Sequence, residues 1–400
     1  MDALTTPLNW QRVRLGDIAE IIGGGTPSTQ VTSFWNGSIN WFTPTEIGIT
    51  KYVYKSQRTI TLLGLKKSSA KLLPIGTILL TSRASIGDCA ILKMVATTNQ
   101  GFQSLIPLEK INNEFLYYLI LTLKNKLLKL ASGGTFLEVS PNKIKNLLIP
   151  LPPLNEQIAI ANILSDVDHY LCSLDALILK KEGVKKALSF ELLSQRKRLK
   201  GFNQAWQRVR LGTYKYRRGS FPQPYGNPQW YSDNGMPFVQ VYDVGENFKL
   251  NQKTKQKISK IAQPMSVFVP KNSVIITLQG TIGRVALTQY DCYCDRTILI
   301  FDNNTLNDVN KYFFVLSLFT KFEEEKRKAD GSIIKTITNQ TLKDFEILLP
   351  SLDEQIAIAN ILSDLDSEII SLKNKKRQFE NIKKALNHDL MSAKIRVLNK

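Results

Sequence analysis

The stretch Asn155–Asp166, NEQIAIANILSD, returns as Asp353–Asp364, DEQIAIANILSD, with one letter changed. Around it, residues 151–168 match 349–366 at 15 of 18 positions. Twelve residues of helical pattern do not recur in one chain by chance, so self-similarity is the first thing to follow outward. WQRVRLG stands at Trp10–Gly16 and again at Trp206–Gly212. GTILLTSRASIGDCAI, from Gly76, aligns with NSVIITLQGTIGRVAL, from Asn272. ASGGTFLEVSPNKIKNLLIPLPPLNEQ, from Ala131, aligns with ADGSIIKTITNQTLKDFEILLPSLDEQ, from Ala329. The chain is two copies of one unit.

Each copy has two parts. The first, 8–153 or 204–350, is rich in Gly, Pro and Thr, with short β-like runs such as TILLTS and SVIITL before glycine-containing turns. Helical stretches such as NEFLYYLILTLKNKLLKLA interrupt them, which predicts an α+β lobe. The second part, 154–200 or 351–398, has a helical period opened by Pro152 and Pro153 or by Pro350 and Ser351. Glu156 and Glu354 lie where acids suit a helix N-terminus.

One apolar stripe runs along each helix. It takes in Ile163, Val167, Tyr170, Leu174, Leu177, Val184, Leu188 and Leu192 in copy one. Copy two offers Ile361, Leu365, Leu372, Phe379, Ile382, Leu386 and Leu390. Steps of four and three predict a coiled-coil seam, and such a helix needs a partner in water. The partner nearest to hand is its own repeat. The expected architecture is α+β, with two α/β lobes related by a pseudo-twofold and separated by a pair of long antiparallel coiled-coil helices. About 45 helical residues would span roughly 65 Å.

Composition narrows the function. Lys and Arg number 53 against 34 Asp and Glu, a formal net charge of +19, which favours a polyanion as partner. Residues 180–218 hold 13 Lys or Arg against Glu182 and Glu191 alone. No apolar run reaches the ~20 residues of a membrane span, and the N-terminus lacks a secretory h-region, so a cytoplasmic protein with no membrane role is expected. Cys89, Cys172, Cys292 and Cys294 lack the spacing of zinc pairs and read as small apolar residues. No metal site is expected. GGGT at Gly23–Thr26 lacks the Lys-Ser/Thr of a P-loop and reads as a turn needing positive φ. NPQW at Asn227 reads as a turn, as do the equivalent loops SGGTFLE and DGSIIKT.

Two similar basic lobes suit the twofold geometry of duplex DNA, and their divergent tips suggest that each reads something different. Arg83, Arg217, Arg218 and Arg284 lie in or beside glycine-containing loops, where a guanidinium can reach phosphate or guanine. Gln100, Gln240 and Gln279 could pair with adenine. Trp35, Trp41, Trp230 and Tyr242 are either DNA-facing or core, with core the stronger expectation.

Laid out in this way, the chain resembles the specificity subunit of a type I restriction–modification system. The resemblance spans essentially the whole chain. It rests on VRLGDIAEIIGGGTPST and FWNGSINWFTPTEI, on LLTSRASIGDCAI before TTNQGF, and on the doubled LPPLNEQIAIANILSDVD and LPSLDEQIAIANILSDLD. It implies a non-catalytic subunit whose two lobes each read half of a bipartite, asymmetric site in double-stranded DNA. The helices would set the spacer and dock two methylation subunits, and restriction subunits would join for cleavage. S-adenosylmethionine, ATP and Mg would belong to those partners, none to this chain. The second lobe departs from the pattern, with YKYRRGSFPQP in place of IAEIIGGGTPS. A single-chain DNA methyltransferase or nuclease and a coiled-coil interaction scaffold are the alternative readings.

Overall fold

A computed structural model describes residue 7 and residues 9–133, 137–245, 247–279, 283–328 and 339–397. The chain divides into two compact units, Met1–Leu177 with Leu372–Lys400, and Ile178–Ser371. The expected helical segments, 154–200 and 351–398, fall across this division. The long helices are Leu154–Leu193 and Leu352–Met391, and each unit takes part of both. Of the two equivalent loops noted above, residues 134–136 and 330–336 lie outside the described residues.

The first unit carries strands β1 (Gln11–Arg14), β2 (Ala19–Gly23), β3 (Trp35–Phe42), β4 (Tyr52–Val53), β5 (Arg58–Ile60), β6 (Ile78–Leu80), β7 (Cys89–Leu92), β8 (Ala96–Thr98), β9 (Gln103–Pro107) and β10 (Leu148–Leu151). They form a five-stranded sheet ordered β2-β9-β6-β7-β4, a three-stranded sheet ordered β5-β3-β8, and the pair β1-β10. A helix, Asn113–Leu130, covers the larger sheet. Asn112 caps it, its side chain accepting from the Phe115 N–H at 2.8 Å. Its inner face, including Phe115, Leu119 and Ile120, packs on Ile78, Leu80, Ile91 and Leu105, all of them buried.

The second unit repeats the plan with β11 (Gln207–Arg210), β12 (Tyr216–Arg218), β13 (Tyr231–Val239), β14 (Gln256–Ile258), β15 (Val267–Val269), β16 (Val274–Thr277), β17 (Val285–Leu287), β18 (Cys292–Cys294), β19 (Ile298–Phe301) and β20 (Glu346–Leu349). Its sheets are β12-β19-β16-β17, β14-β13-β18-β15 and β11-β20. The covering helix, Lys311–Lys328, buries Phe313, Phe314 and Leu318 against Val274, Ile276 and Leu299. The α+β expectation therefore holds in both units.

The repeated phrases build one collar in each unit. WQRVRLG supplies β1 and β11, and these pair antiparallel with the strand that leads into the long helix. Gln11 faces Leu151 and Gln207 faces Leu349. That pairing closes the lobe on itself and brings the preceding tryptophan over the helix start. There Trp10 Nε1 donates to Glu156 Oε2 at 3.1 Å, and Trp206 Nε1 donates to Glu354 Oε2 at 3.2 Å. An arginine from the segment after the opposite long helix completes each grip. Arg198 holds both oxygens of Glu354, at 3.2 and 2.7 Å. Arg396 stands 3.6 Å from Glu156 Oε2. The next residue ties in the covering helix. Gln157 accepts from the Asn112 N–H at 3.0 Å and donates to the Pro152 carbonyl at 2.9 Å. Gln355 does the same with Asn310 and Pro350, at 2.9 and 3.0 Å.

Within each unit the long-helix segments run antiparallel. In the first, the climb from Asp168 to Asp175 meets a fall from Lys383 to Lys376, with Tyr170 on Phe379 between them. In the second, Lys181 meets Glu368 at 2.8 Å and Lys185 meets Asp366 at 2.5 Å. The buried and half-buried positions step by four and three through Ile160, Leu164, Val167, Leu171, Leu174, Ile178, Lys181, Lys185, Leu188 and Leu192. The second helix gives Ile358, Leu362, Leu365, Ile369, Leu372, Lys376, Phe379, Lys383, Leu386 and Leu390, the same positions one repeat later.

This corrects the expected seam at three residues. Leu177 is 38% exposed, Val184 46% and Ile382 51%, so all three lie off the stripe. Ile178 takes the place of Leu177, and Lys185 and Lys383 take those of Val184 and Ile382, because a lysine lays its apolar stem along a seam while its ammonium reaches a carboxylate at the edge. A count of apolar letters steps around them and drifts off the stripe. The remaining expected positions, Ile163, Val167, Leu174, Leu188, Ile361, Leu365, Leu372, Phe379 and Leu386, are buried or half-buried.

Two predictions follow from these contacts. Leu362→Ala, at a fully buried seam position, lowers the unfolding free energy by about 2–5 kcal/mol, whereas Leu177→Ala costs under ~1 kcal/mol. Urea unfolding of the full chain checks both, and comparable losses would contradict this seam. Arg198→Ala leaves the Glu354 carboxylate buried without its counter-ion and costs about 3–5 kcal/mol. Adding Glu354→Gln recovers part of that loss in the same assay.

Candidate nucleic-acid interface

Four connections gather at one end of each lobe. In the first unit they are Gly24–Thr26 after β2, Thr43–Glu46 after β3, Ser82–Asp88 after β6 and Asn99–Gly101 after β8. Backbone hydrogen bonds tie them together. The Gly25 N–H donates to Thr98 at 2.9 Å, Asn99 to Phe42 at 3.0 Å, and Ser82 to the Gly101 carbonyl at 2.8 Å. The Thr43 turn is locked by Glu46, which accepts from both the N–H and the hydroxyl of Thr43 at 2.8 Å.

The glycines owe their place here to crowding. The expected positive φ at Gly23–Gly25 is not observed; the positive-φ glycines are elsewhere, Gly48, Gly76 and Gly87 among them. A Cβ on Gly24 would lie 1.9 Å from the Asn99 carbonyl oxygen, and one on Gly25 2.3 Å from the Ala70 nitrogen. Only a hydrogen fits where the first loop presses on the fourth.

The second unit repeats the gathering with different letters. Its Gly219 N–H donates to Ile298 at 2.9 Å, Asp295 to Val239 at 3.0 Å, and Leu278 to Thr297 at 2.8 Å. The Gln240 turn is locked by Asp243, which accepts from the Gln240 N–H at 2.9 Å and the Lys255 N–H at 2.9 Å. Burial pushes the Asp243 carboxyl above the usual range, against the pull of those two N–H groups. Asp295, also buried, accepts from the Tyr225 hydroxyl and from Thr297 Oγ1. Burial and that carboxylate raise the Tyr225 phenol.

The candidate residues divide accordingly. Arg83 and Gln100 come together at the first tip. Arg83 is ion-paired with Glu138 at 2.7 Å and remains partly exposed, while Gln100 is exposed and takes a hydrogen bond from the Thr26 hydroxyl. Arg218, Gln240 and Gln279 come together at the second. Arg218 and Gln279 are exposed there, and half-buried Gln240 accepts from the Tyr242 hydroxyl. Arg217 turns away to the Phe268 carbonyl on β15, in the unit's other four-stranded sheet, at 3.2 Å. Arg284 is not brought to the tip surface. It is half-buried and donates to the Val244 carbonyl at 3.1 Å, holding one connection to another.

Among the aromatic candidates, Trp35 and Trp41 are buried and support the tip from below. Trp41 Nε1 donates to the Gly25 carbonyl at 2.8 Å, and exposed Arg58 stacks 3.7 Å above the Trp35 ring. Trp230 is half-buried and Tyr242 exposed. Residue-by-residue reading passed over Arg58 and Arg296. Arg296 was within reach, because TTNQGF aligned with CDRTI sets it opposite Gln100. Arg58 was not, since its stacking depends on a strand pairing across 17 residues, between Trp41 and Arg58.

Cys89, Cys292 and Cys294 are buried as expected of small apolar residues, with burial raising the Cys89 thiol, but Cys172 is exposed on the first long helix. Asn227 caps a short turn, its side chain accepting from the Gln229 N–H at 3.1 Å. Among the described residues no group of three or more His, Cys, Asp or Glu is placed to hold a metal ion, and no helix is long and apolar enough to cross a membrane.

The family described as Type I restriction modification DNA specificity domain matches residues 7–181 and 223–381. The chain is 41% identical over 169 residues to the type I restriction enzyme MjaIX specificity subunit of Methanocaldococcus jannaschii, covering 41% of this chain and 39% of that protein. It is 37% identical over 161 residues to the EcoR124I/EcoR124II specificity subunit of Escherichia coli, covering 38% and 40%. These two matches span about two fifths of each relative's length. A putative MjaX specificity subunit of M. jannaschii aligns over 98% of this chain and 95% of its own, at 27% identity. Among solved structures, the specificity subunit from M. genitalium superposes with a TM-score of 0.59 at 17% identity, covering 98% of both chains. At that identity the likeness concerns the fold.

The packing at the first tip is testable. Gly24→Ala forces the Asn99 turn to shift and costs about 1–3 kcal/mol, with faster amide exchange over residues 97–101. Gly226→Ala, which meets no atom within 4 Å, leaves both unchanged. Equal behaviour of the two variants would show the tip to be loosely packed.

Proposed function

Because the chain belongs to the family of type I restriction–modification DNA specificity subunits, we propose that it reads duplex DNA at two places, one per unit, as the site-recognising member of a larger complex. The reading is non-catalytic. The chain supplies sequence discrimination, and the chemistry belongs to two methylation subunits and to restriction subunits that carry S-adenosylmethionine, ATP and Mg. The complex acts on double-stranded DNA in the cytoplasm. The lengths of the two long helices set the number of base pairs between the half-sites.

One observation carries this reading. Both units present the same gathering of connections, fixed by equivalent backbone hydrogen bonds at two joints (Asn99 to Phe42 and Ser82 to Gly101 in one, Asp295 to Val239 and Leu278 to Thr297 in the other), yet fill it with different side chains. Gln100 in the first unit corresponds to Arg296 in the second, Thr43 to Gln240, and Arg83 to Gln279. A rigid frame with interchangeable polar ends is what reading two unlike half-sites requires. Backbone contacts to phosphate place a reader, and side chains at base edges decide sequence. The net charge of +19 supplies the non-specific attraction.

Replacing residues 8–153 by the corresponding lobe of a relative of different specificity is expected to change one half of the methylated site and to leave the other half intact. Sequencing methylated DNA from cells carrying the hybrid chain and its partner subunits reads this directly. A hybrid that alters both halves, or neither, would refute the division of labour.

A further inference from the structure

Resting on that reading, we infer that Gln100 and Arg296 are the equivalent specificity-determining residues of the two units, Gln100 reading an adenine and Arg296 a guanine. Each is the exposed side chain at the crest of a bend whose neighbours are tied down. Before Gln100, Asn99 donates its N–H to Phe42 and accepts from the Gly101 N–H at 2.8 Å. After it, Gly101 is buried under the Thr43 turn, and its carbonyl receives Ser82. Before Arg296, buried Asp295 is held by Val239, Tyr225 and Thr297, and the Thr297 carbonyl receives Leu278. Three of the four tip connections therefore meet at this one position in each unit, so the frame fixes where its side chain leaves the backbone.

The chemistry of the two side chains points to purines. A glutamine amide matches the N6 and N7 groups of adenine, and a guanidinium matches O6 and N7 of guanine, each by two parallel hydrogen bonds. The Thr26 hydroxyl donates to Gln100 Oε1 and sets the amide plane, while the oxygen's second lone pair and both N–H donors stay available. Arg296 forms no ion pair among the described residues; its guanidinium lies 5.4 Å from the centre of the Tyr225 ring. An aromatic rest orients a guanidinium without using up its fork of donors. Arg83, by contrast, already gives its charge to Glu138.

The test is selection of bound sequences from a randomised duplex pool by the full chain, followed by titration of single-base variants of the selected site. The wild type is expected to select a guanine in one half-site and an adenine in the other. Arg296→Gln relaxes or changes the preference at that one guanine by about 10- to 100-fold, with the remaining positions and the spacer preserved. Gln100→Ala does the same at one adenine of the other half-site. Arg208→Gln removes the same charge from the exposed collar strand β11, away from the tip, and leaves every base preference unchanged. If Arg296→Gln weakens all sequences alike, the residue contacts phosphate and the inference is overturned. It is equally overturned if both variants keep every base preference of a wild type that does select a bipartite site. A wild type selecting no bipartite site overturns the family-based reading itself. Unfolding midpoints equal to wild type exclude misfolding as the cause.

Discussion

A single buried carboxylate at the head of each long helix decides where everything else can stand. Glu354 is almost wholly buried, and a charge in that position is tolerable only if donors surround it. The donors are the tryptophan before the collar strand and an arginine beyond the end of the other long helix, both about 150 residues from the carboxylate in sequence. Each unit is thereby a closed circuit. The lobe's beginning, the lobe's end and a segment from elsewhere in the chain converge on one oxygen pair. Glu156 has the same partners in looser form, with Arg396 at 3.6 Å where Arg198 approaches to 2.7 Å. The adjoining glutamine extends the circuit to the covering helix by capturing the N–H of its capping residue. Three short phrases repeated in the sequence are thus one device in space, which explains why they recur together.

What the device leaves free is the opposite end of the lobe. Sheet pairing and the covering helix anchor the strands at one end, and at the other the strands run out into connections held by backbone hydrogen bonds. Backbone bonds constrain main-chain geometry and say little about side chains, so tip letters can change without altering the frame. The two ways of closing the Thr43 and Gln240 turns illustrate this. A Glu in one and an Asp in the other accept from the same backbone N–H, while the residue at the head of the turn passes from a hydroxyl to an amide. Crowding sets the limit of this freedom. Gly24 and Gly219 each lie against the backbone of the fourth connection, where no Cβ fits.

The fold was legible because duplication is visible without any knowledge of structure. Once two copies are aligned, strand runs, the capped covering helix and the long helix fall into order by composition and period. The tips were legible only in outline. Which loops meet depends on crossings such as the parallel pairing of β3 with β8, and no local pattern announces it. The helix seam misled for a different reason. Burial of a lysine stem is invisible to a scale that scores whole residues, so an apolar pattern passes over Lys181, Lys185 and Lys383, which are seam residues with acidic partners. The Gly-Gly-Gly run misled in the same spirit. Glycine at a turn suggests unusual dihedral angles, but a close approach of two backbones asks for glycine just as firmly.

The lysines on the seam also bear on how the helices choose a register. An all-apolar stripe stepping by four and three can slide by a heptad with little penalty, because every step offers another leucine. Lys185 with Asp366 and Lys383 with Asp168 are the same pair one repeat apart, so a slide in either unit would strand an ammonium against apolar neighbours. Each aspartate is further committed to a tyrosine of the covering helix, Tyr312 in one unit and Tyr118 in the other, and burial with that hydrogen bond raises both phenols. A register error would therefore also break the attachment of the lobe. Half-exposed ion pairs add little stability by themselves. Their value here is as a penalty against the wrong alignment, and that penalty fixes which turn of each helix a lobe is attached to.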